Sequence, residues 1–462
     1  MWPIIVSVVY VGLASGYFFR WGPVVQHIPS LWLGPQDLKY TYFAASQAAH
    51  GQFGAIYSPK FDFVDFPGIV VALAPLGALG NSFHTTLLEV TKTASIPVPF
   101  SVRFAIPFLN PQEFHHAGGP VYVSHPQWVE AVYPYVLLLS CLALFAFDAL
   151  AERLQVSNPR RAVLSGVVAV LLWNVTVLWG HPEDAVAAGL AAYALIYALD
   201  GRFEPAGWLF GASVAFQPLV LLALPVLLVM AGRRRGPGLA VRSVLPAAVL
   251  LAVPLIASFR VTLRELVNQP SFPNLNHATP WTALAPSLGG HGSSLAVAAG
   301  PIRLVAIILA IGLGIWVARQ QWRQHPERLV YVCALALALR SYTESVMVAY
   351  YPAAALAVGV VVAARCSRWR FEMAVALTVA ATVLAQWKVG WLPWWTIQMA
   401  ALTALLVVAA QPKPLVLATP RVDSRPVRTR TSASPPVRSQ PARPRTKGKA
   451  PPSPTAKRSG RR

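Results

Sequence analysis

Residues 131–150, AVYPYVLLLSCLALFAFDAL, form a long apolar stretch whose single charged side chain, Asp148, stands near its end. The stretch has the roughly 20 residues that an α-helix needs to cross the hydrocarbon core of a bilayer. The rest of the chain is similar in character, with 55% hydrophobic residues, 12% charged residues and a mean hydropathy of +0.52. Soluble domains carry about 25% charged residues. The sequence therefore predicts an all-α protein, a polytopic transmembrane helical bundle.

Similar apolar stretches recur along the chain and predict about ten spanning helices. They cover residues 2–19, 131–150, 161–179, 183–199, 240–258, 299–318, 329–347, 350–364, 371–387 and 391–410. Residues 66–80 are too short for a span. Residues 206–231 are interrupted at Gln217-Pro218, and proline removes a backbone hydrogen bond within a helix. We expect 206–231 to be a hairpin of two half-helices.

The basic residues predict the orientation, because cytoplasmic loops are enriched in Lys and Arg. If 66–80 does not cross and 206–231 is a hairpin, every basic connection falls on the cytoplasmic side. Residues 20–130 then form a large first external loop, with helices on the membrane surface. We expect a multi-pass protein of the cell membrane whose residues 1–410 form one membrane-embedded domain. Residues 1–19 lack a charged segment at their start, which favours an uncleaved first helix over a signal peptide.

Residues 411–462 differ from the rest in composition. They contain 14 Lys and Arg and one acid, Asp423, and are rich in Pro, Ser and Thr. Such a segment cannot bury enough apolar surface to fold, so a disordered basic cytoplasmic tail is expected. A contact with anionic membrane lipids and a simply solvated tail both remain open, and nucleic acid is not an expected partner.

The unusual polar residues fall on the predicted external side. Asp37 follows the first apolar segment and, as an acid at the membrane surface with aromatic neighbours and no obvious metal partner, is the candidate catalytic base. Ionisable residues at the rim of membrane segments are functional candidates. Candidate substrate-binding residues on the same side are Lys39, Tyr40, His181, Glu183, Asp184, Asn276, His277, Arg340, Glu344 and Tyr350.

Each candidate also has a structural explanation. Asp37 could begin a surface helix, and Pro182 followed by Glu183 and Asp184 is typical of a helix start. Arg340 and Glu344 are four residues apart, so they could form an ion pair on one helix face. Alternatively, Arg340 binds an anion and Glu344 holds it in place. His277 could be an ordinary loop residue.

No cofactor or metal site is expected from the motifs. The chain has no phosphate-binding glycine loop, nucleophile elbow or dinucleotide fingerprint. Cys141, Cys333 and Cys366 have no metal spacing, and neither do His115, His116 and His125. Glu183 and Asp184 are compatible with a divalent metal, but the sequence does not require one.

The region around Asp37 resembles the GT-C superfamily of membrane glycosyltransferases. It is most similar to the actinobacterial family of α-mannosyltransferases that use polyprenyl-phosphate-mannose. The resemblance covers roughly residues 30–235 and rests on Asp37-Leu38-Lys39-Tyr40, Ala44-Ala45, Ala48-Ala49-His50-Gly51, Ile56-Tyr57, Phe66-Pro67-Gly68, Ala74-Pro75-Leu76 and the run from Gly207 to Pro218. It implies a GT-C fold and inverting transfer on the external face, with Asp37 as the base.

Two positions depart from the family pattern. Gln217 stands where the family has a lysine, and Gly180-His181-Pro182-Glu183-Asp184 replaces a Gly-Gln-x-Asn turn. Gln217 is still a candidate substrate-binding residue, and Arg340, with Lys39 behind it, becomes the candidate partner of the lipid phosphate. The implied partners are a polyprenyl-phosphate sugar donor, a lipid or glycan acceptor and membrane lipids. The alternatives are a non-catalytic lipid or glycolipid transporter and a pseudoenzyme scaffold.

Overall fold

The computed structural model shows a helical bundle. The described residues are 1–25, 36–58, 63–79, 85–90, 121–126, 128–273, 277–289, 295–320, 325–387 and 389–414. Within them are fourteen α-helices: α1 (Trp2–Val25), α2 (Gln36–Ala49), α3 (Pro67–Gly77), α4 (Trp128–Arg153), α5 (Asn158–Leu172), α6 (Pro182–Leu199), α7 (Phe203–Phe216), α8 (Leu224–Ala257), α9 (Phe259–Asn268), α10 (Ile302–Arg319), α11 (Pro326–Thr343), α12 (Ala353–Ala363), α13 (Arg368–Leu384) and α14 (Trp391–Ala409). The mainly helical prediction is confirmed.

The structure also contains short strands that the all-α prediction omitted. Strands β1 (Thr85–Val90) and β2 (Val121–Pro126) pair antiparallel within the predicted external loop. Strands β3 (Ser287–Gly289) and β4 (Ala296–Val297) form a second antiparallel pair before α10. Strands this short leave no long periodic pattern in the sequence, so hydropathy alone does not predict them.

Five segments are long and apolar enough to cross a membrane, which is fewer than the ten predicted. Among the described residues they are Val132–Arg153, Asn158–Leu178, Pro218–Ala257, Ile302–Arg319 and Trp391–Ala409. The other predicted spans do form helices, but α12 has only 11 residues and α6, α11 and α13 carry charged residues in their terminal turns. Of these helices, α6, α11 and α12 are mostly buried against their neighbours.

The predicted break after α7 is confirmed. Helix α7 ends at Phe216, Gln217 is extended, and a 3₁₀ helix (Pro218–Ala223) leads into α8. Helix α8 is itself kinked at Gly232, where φ is 69°. Arg235 donates to the Gly201 carbonyl at 3.2 Å, so the chain returns close to the start of α7. Gln217 thus lies at the tip of a hairpin whose two ends share one side.

Glycines allow close approach of the helices around this hairpin. A Cβ at Gly211 of α7 would lie 2.1 Å from the Arg242 carbonyl oxygen of α8. A Cβ at Gly68 of α3 would lie 2.6 Å from the Ala215 carbonyl oxygen. Small residues at helix contacts are a common way to pack helices in membranes. Here they bring α3 and the hairpin tip together.

Several basic connections meet at one end of the bundle. Arg160 donates to the Ala364 carbonyl at 2.6 Å, and Arg365 donates to the carbonyls of Gln155 and Pro414 at 3.2 and 2.8 Å. Arg153 bonds to Asp200 at 2.6 Å. The loops that follow α4, α6 and α12 therefore lie together. The predicted disordered tail falls outside the described residues from 415 onward.

Candidate active site

A cluster of charged side chains lies at the opposite end of the bundle, where distant parts of the chain meet. Helix α2 supplies Asp37, the segment before α3 supplies Asp65, and the start of α6 supplies His181, Glu183 and Asp184. Pro182 occupies the first position of α6, where its missing N–H leaves no helical hydrogen bond unmade. The helix-start explanation thus holds for Glu183 and Asp184, and their role in a site stays a prediction.

Asp37 lies in the first turn of α2, so the helix-start explanation also holds for this residue. Its Oδ2 accepts a hydrogen bond from His181 Nε2 at 2.8 Å, across 144 residues of sequence. The Asp37 side chain is 43% exposed, whereas that of His181 is 8% exposed. The carboxylate is therefore fixed from the protein side and open to an incoming group on the other.

Glu183 holds the other ring nitrogen of His181. His181 Nδ1 forms a short hydrogen bond with Glu183 Oε1, and the Glu183 side chain is 1% exposed. The His181 ring stacks on Tyr350, with ring centroids 4.1 Å apart and planes at 26°. These contacts fix the imidazole in both position and orientation.

The charges around His181 shift its pKa. Burial alone would lower the pKa of His181, but the carboxylates of Glu183 and Asp37 outweigh it and raise the pKa well above its ordinary value. Burial also raises the pKa of Asp65 to about 8, repulsion from Glu183 adds to this, and His181 works against it. Asp65 thus belongs to the same electrostatic unit as Asp37 and Glu183.

Asp184 faces a second group of side chains. Its Oδ1 accepts hydrogen bonds from Arg340 Nη1 and from Gln217 Nε2, each at 3.1 Å. The Arg340 guanidinium lies 3.5 Å from the centre of the Tyr351 ring. Among the described residues, Asp184 Oδ2 and Arg340 Nε have no hydrogen-bond partner. The predicted candidates Gln217 and Arg340 are thus brought together.

A small cavity adjoins Asp184. The space open to the centre of a water molecule is about 40 Å³, so the cavity has room for ordered water. Its polar lining is Asp184, Gln217, Arg340, Tyr350 and Tyr351, and apolar residues of α4, α5, α6, α11 and α12 close it on the other sides. Asp37 lies outside this lining. Seven of the predicted residues therefore lie in one cluster, with an exposed part at Asp37 and an enclosed part at Arg340: Asp37, His181, Glu183, Asp184, Gln217, Arg340 and Tyr350.

The predictions that Glu344 pairs with Arg340 or holds it in place are wrong, whereas anion binding by Arg340 stays a prediction. Glu344 Oε2 and Oε1 accept from Arg303 at 2.7 and 3.0 Å, and Arg340 is held by Asp184 instead. The reason is that α11 ends at Thr343, so Glu344 is extended and no longer on the helix face of Arg340. Glu344 joins α11 to α10 rather than belonging to the candidate site.

The remaining predicted residues have different positions. His277 is buried and its ring lies 5.3 and 5.8 Å from the rings of Trp179 and Trp394, in an aromatic layer behind Tyr350. Tyr40 lies on α2, three residues after Asp37. Lys39 is also on α2, but its side chain is outside the described part, and Asn276 is outside it altogether.

Three residues that matter to the cluster were not predicted. Asp65 precedes Phe66-Pro67, and an acid just before a buried apolar helix was a signal that could have identified it. Tyr351 follows the predicted Tyr350. Asn174, in the π-helix Trp173–Leu178, donates to the Ala349 carbonyl at 3.0 Å and so supports the turn that carries both tyrosines. π-Helical turns are frequent at functional sites.

The comparisons with known proteins leave the family open: no protein-family model matches the chain, and no curated protein matches its sequence.

Proposed function

We propose that the chain is an integral-membrane glycosyltransferase of the GT-C type. It moves a sugar, most simply mannose, from a polyprenyl phosphate to an envelope glycolipid or glycan on the external face of the cell membrane. The observation that carries the proposal is the Asp37 carboxylate, which is open on one side and bonded to the buried His181–Glu183 pair on the other. A general base needs this combination of access and fixed orientation.

In the proposed reaction Asp37 Oδ1 takes the proton of the acceptor hydroxyl. The hydroxyl oxygen attacks the anomeric carbon from the face opposite the phosphate, and a new glycosidic bond forms as the bond to the phosphate oxygen breaks. The electron pair leaves with the polyprenyl phosphate, and the configuration at the anomeric carbon inverts. A positioned general base typically contributes about 10²–10⁴-fold to the rate.

The leaving phosphate needs cationic or hydrogen-bonding partners as its charge develops. Arg340 is our candidate, with its Nε not engaged by the described residues and its charge held in place by Asp184. The Gln217 amide lies beside it at the tip of the hairpin. Lys39 is the second candidate for contact with the phosphate.

The orientation in the membrane is part of the proposal. The basic connections at one end of the bundle would face the cytoplasm, together with the tail. The Asp37 cluster at the other end would then face outward. The lipid chain of the donor would lie along the helices, and α3 would line the path by which the donor approaches Asp37.

Transfer of labelled sugar from synthetic polyprenyl phosphates by the purified protein tests this function. We expect Asp37→Asn to lower the transfer rate by about 10²-fold or more. Asp200→Asn is the matched control, because it removes an exposed carboxylate bonded to Arg153 at the basic end.

Three results would contradict the proposal. Transfer by Asp37→Asn close to the wild-type rate would show that Asp37 is not the base. Wild-type protein that moves a labelled glycolipid across a vesicle membrane without forming a glycosidic bond would favour the transporter alternative. Cells in which Asp37→Asn leaves the function of the protein intact would favour a scaffold.

A further inference from the structure

Asp65, His181 and Glu183 come together although no two of them are ligands in a known sequence motif. One donor atom from each lies within 4.8 Å of the others. We propose that these three side chains bind a divalent cation, with His181 Nδ1 and one carboxylate oxygen from each acid as ligands. Three protein ligands around an ion, with further positions open, are typical of cation sites that also contact a substrate.

An independent observation at Glu183 points to a ligand. The Glu183 side chain is 1% exposed, and among the described residues its Oε2 has no hydrogen-bond partner. Buried carboxylate oxygens are nearly always paired with a donor or a cation, because desolvation of an unpaired one is costly. The His181 bond accounts for Oε1 alone. A cation beside Oε2 would satisfy the second oxygen.

The orientation of His181 is compatible with a ligand role. Metal-bound histidines usually donate the other ring N–H to a carboxylate, which fixes the tautomer. Here Nε2 donates to Asp37 Oδ2 at 2.8 Å, which leaves Nδ1 directed toward Glu183. The cation would replace the short hydrogen bond between Nδ1 and Oε1, after small rotations of the two side chains.

If the proposed function is correct, the ion would offset the negative charge that a donor phosphate meets in the cluster. This part of the inference rests on the proposed function. The carboxylates of Asp37, Glu183 and Asp184 face only two basic side chains of described position, His181 and Arg340. A donor phosphate that entered would meet a surplus of negative charge. A divalent cation reverses the balance, as bound cations do at phosphate sites.

The donor set selects the kind of cation. Mg²⁺ and Ca²⁺ prefer oxygen ligands alone, whereas an imidazole nitrogen with carboxylates suits Zn²⁺ and Mn²⁺. Mn²⁺ serves as the probe, because its electron paramagnetic resonance signal reports binding directly. The full chain would be purified without a histidine tag, stripped with a chelator and placed in lipid nanodiscs before Mn²⁺ is added.

We expect one bound Mn²⁺ per chain, with spin-echo modulation from a directly coordinated imidazole nitrogen. Asp65→Asn and Glu183→Gln should each weaken binding at least tenfold, and His181→Gln should abolish the nitrogen modulation. Asp200→Asn, at the other end of the bundle, should bind as the wild type does. The nitrogen signal of the wild type needs no variant, so a variant that does not fold leaves the test valid.

The outcomes separate this inference from the proposed function. Failure of the wild type to bind Mn²⁺ or Zn²⁺, or equal affinity in Asp65→Asn and Glu183→Gln, would overturn the cation site. Bound Mn²⁺ with the nitrogen signal but no sugar transfer would support the cation site and count against the transferase. Full sugar transfer by the chelator-stripped protein, without a detectable ion, would support the transferase and count against the cation site.

Discussion

The pair formed by His181 and Glu183 supports a quantitative prediction on stability and activity. Both side chains are almost fully buried, at 8% and 1% exposure. His181→Gln removes the cationic partner and leaves the Glu183 carboxylate buried. Breaking a buried pair from one side costs about 3–5 kcal/mol. We therefore expect His181→Gln to lower the free energy of unfolding by about this amount.

Replacing both residues should restore much of that loss. In His181→Gln/Glu183→Gln no buried charge remains, and two amides can bond to each other, so we expect a loss of only about 1–2 kcal/mol. The sugar-transfer activity of the double variant should not recover together with its stability. The hydrogen bond to the charged Asp37 is absent in both variants, and a bond of this type contributes about 1.5–3 kcal/mol. If this bond holds Asp37 in its reactive position, the rate should fall about 10- to 100-fold in each.

Unfolding would be followed by tryptophan fluorescence during titration with SDS, with a chelator present so that no bound ion contributes. Transfer would be assayed on the same samples per folded molecule. A coupling energy between positions 181 and 183 below about 0.5 kcal/mol would refute the buried-pair argument. Recovery of activity together with stability would refute the positioning of Asp37 by His181.

Three other changes test the fold and its orientation. Glu344→Gln should destabilise the protein by about 1–3 kcal/mol, because it breaks the bidentate pair with Arg303 of α10. Sugar transfer per folded molecule should stay within about twofold of the wild type. A large loss of transfer would show that Glu344 belongs to the site. Gly211→Ala should destabilise by about 1–3 kcal/mol through overpacking in unfolding titrations, whereas Gly166→Ala, with open space around its Cβ, should not. The orientation can be tested with single cysteines at exposed positions, in a protein without its native cysteines. Gln52→Cys should react with an impermeant maleimide on intact cells, whereas Arg202→Cys should react only after permeabilisation. The opposite pattern would invert the proposed orientation.

Hydropathy and proline positions predicted much of the helical framework. The break at Gln217-Pro218 is where α7 ends, because proline cannot continue the hydrogen bonding of the helix. The number of spans was overestimated, since α6 and α11 begin with charged turns that lower their apolar content. The β1–β2 pair depends on contacts between distant residues, which local patterns do not encode.

The sequence predicted which residues lie near one another in the candidate site better than it predicted which of them pair. The predicted topology placed Asp37, the 181–184 turn and Arg340 on one side, but it did not predict which of these residues pair. Their partners were harder to predict, because a helix end decides them: α11 stops at Thr343, which directs Glu344 to Arg303. Asp65 was missed because a single acid between two apolar segments has no spacing pattern.

The long sequence separations in the cluster have a consequence for how the protein is made. Asp184 is synthesised 156 residues before Arg340, its partner at 3.1 Å. At about 5–20 residues per second, that interval lasts roughly 8–30 s. Because Asp184 lies in the first turn of α6, it can remain hydrated until α11 is in place. A nascent chain that stops before α11 would therefore hold Asp37, His181 and Asp184 without the arginine, and the late arrival of α11 would be the step that completes the cluster.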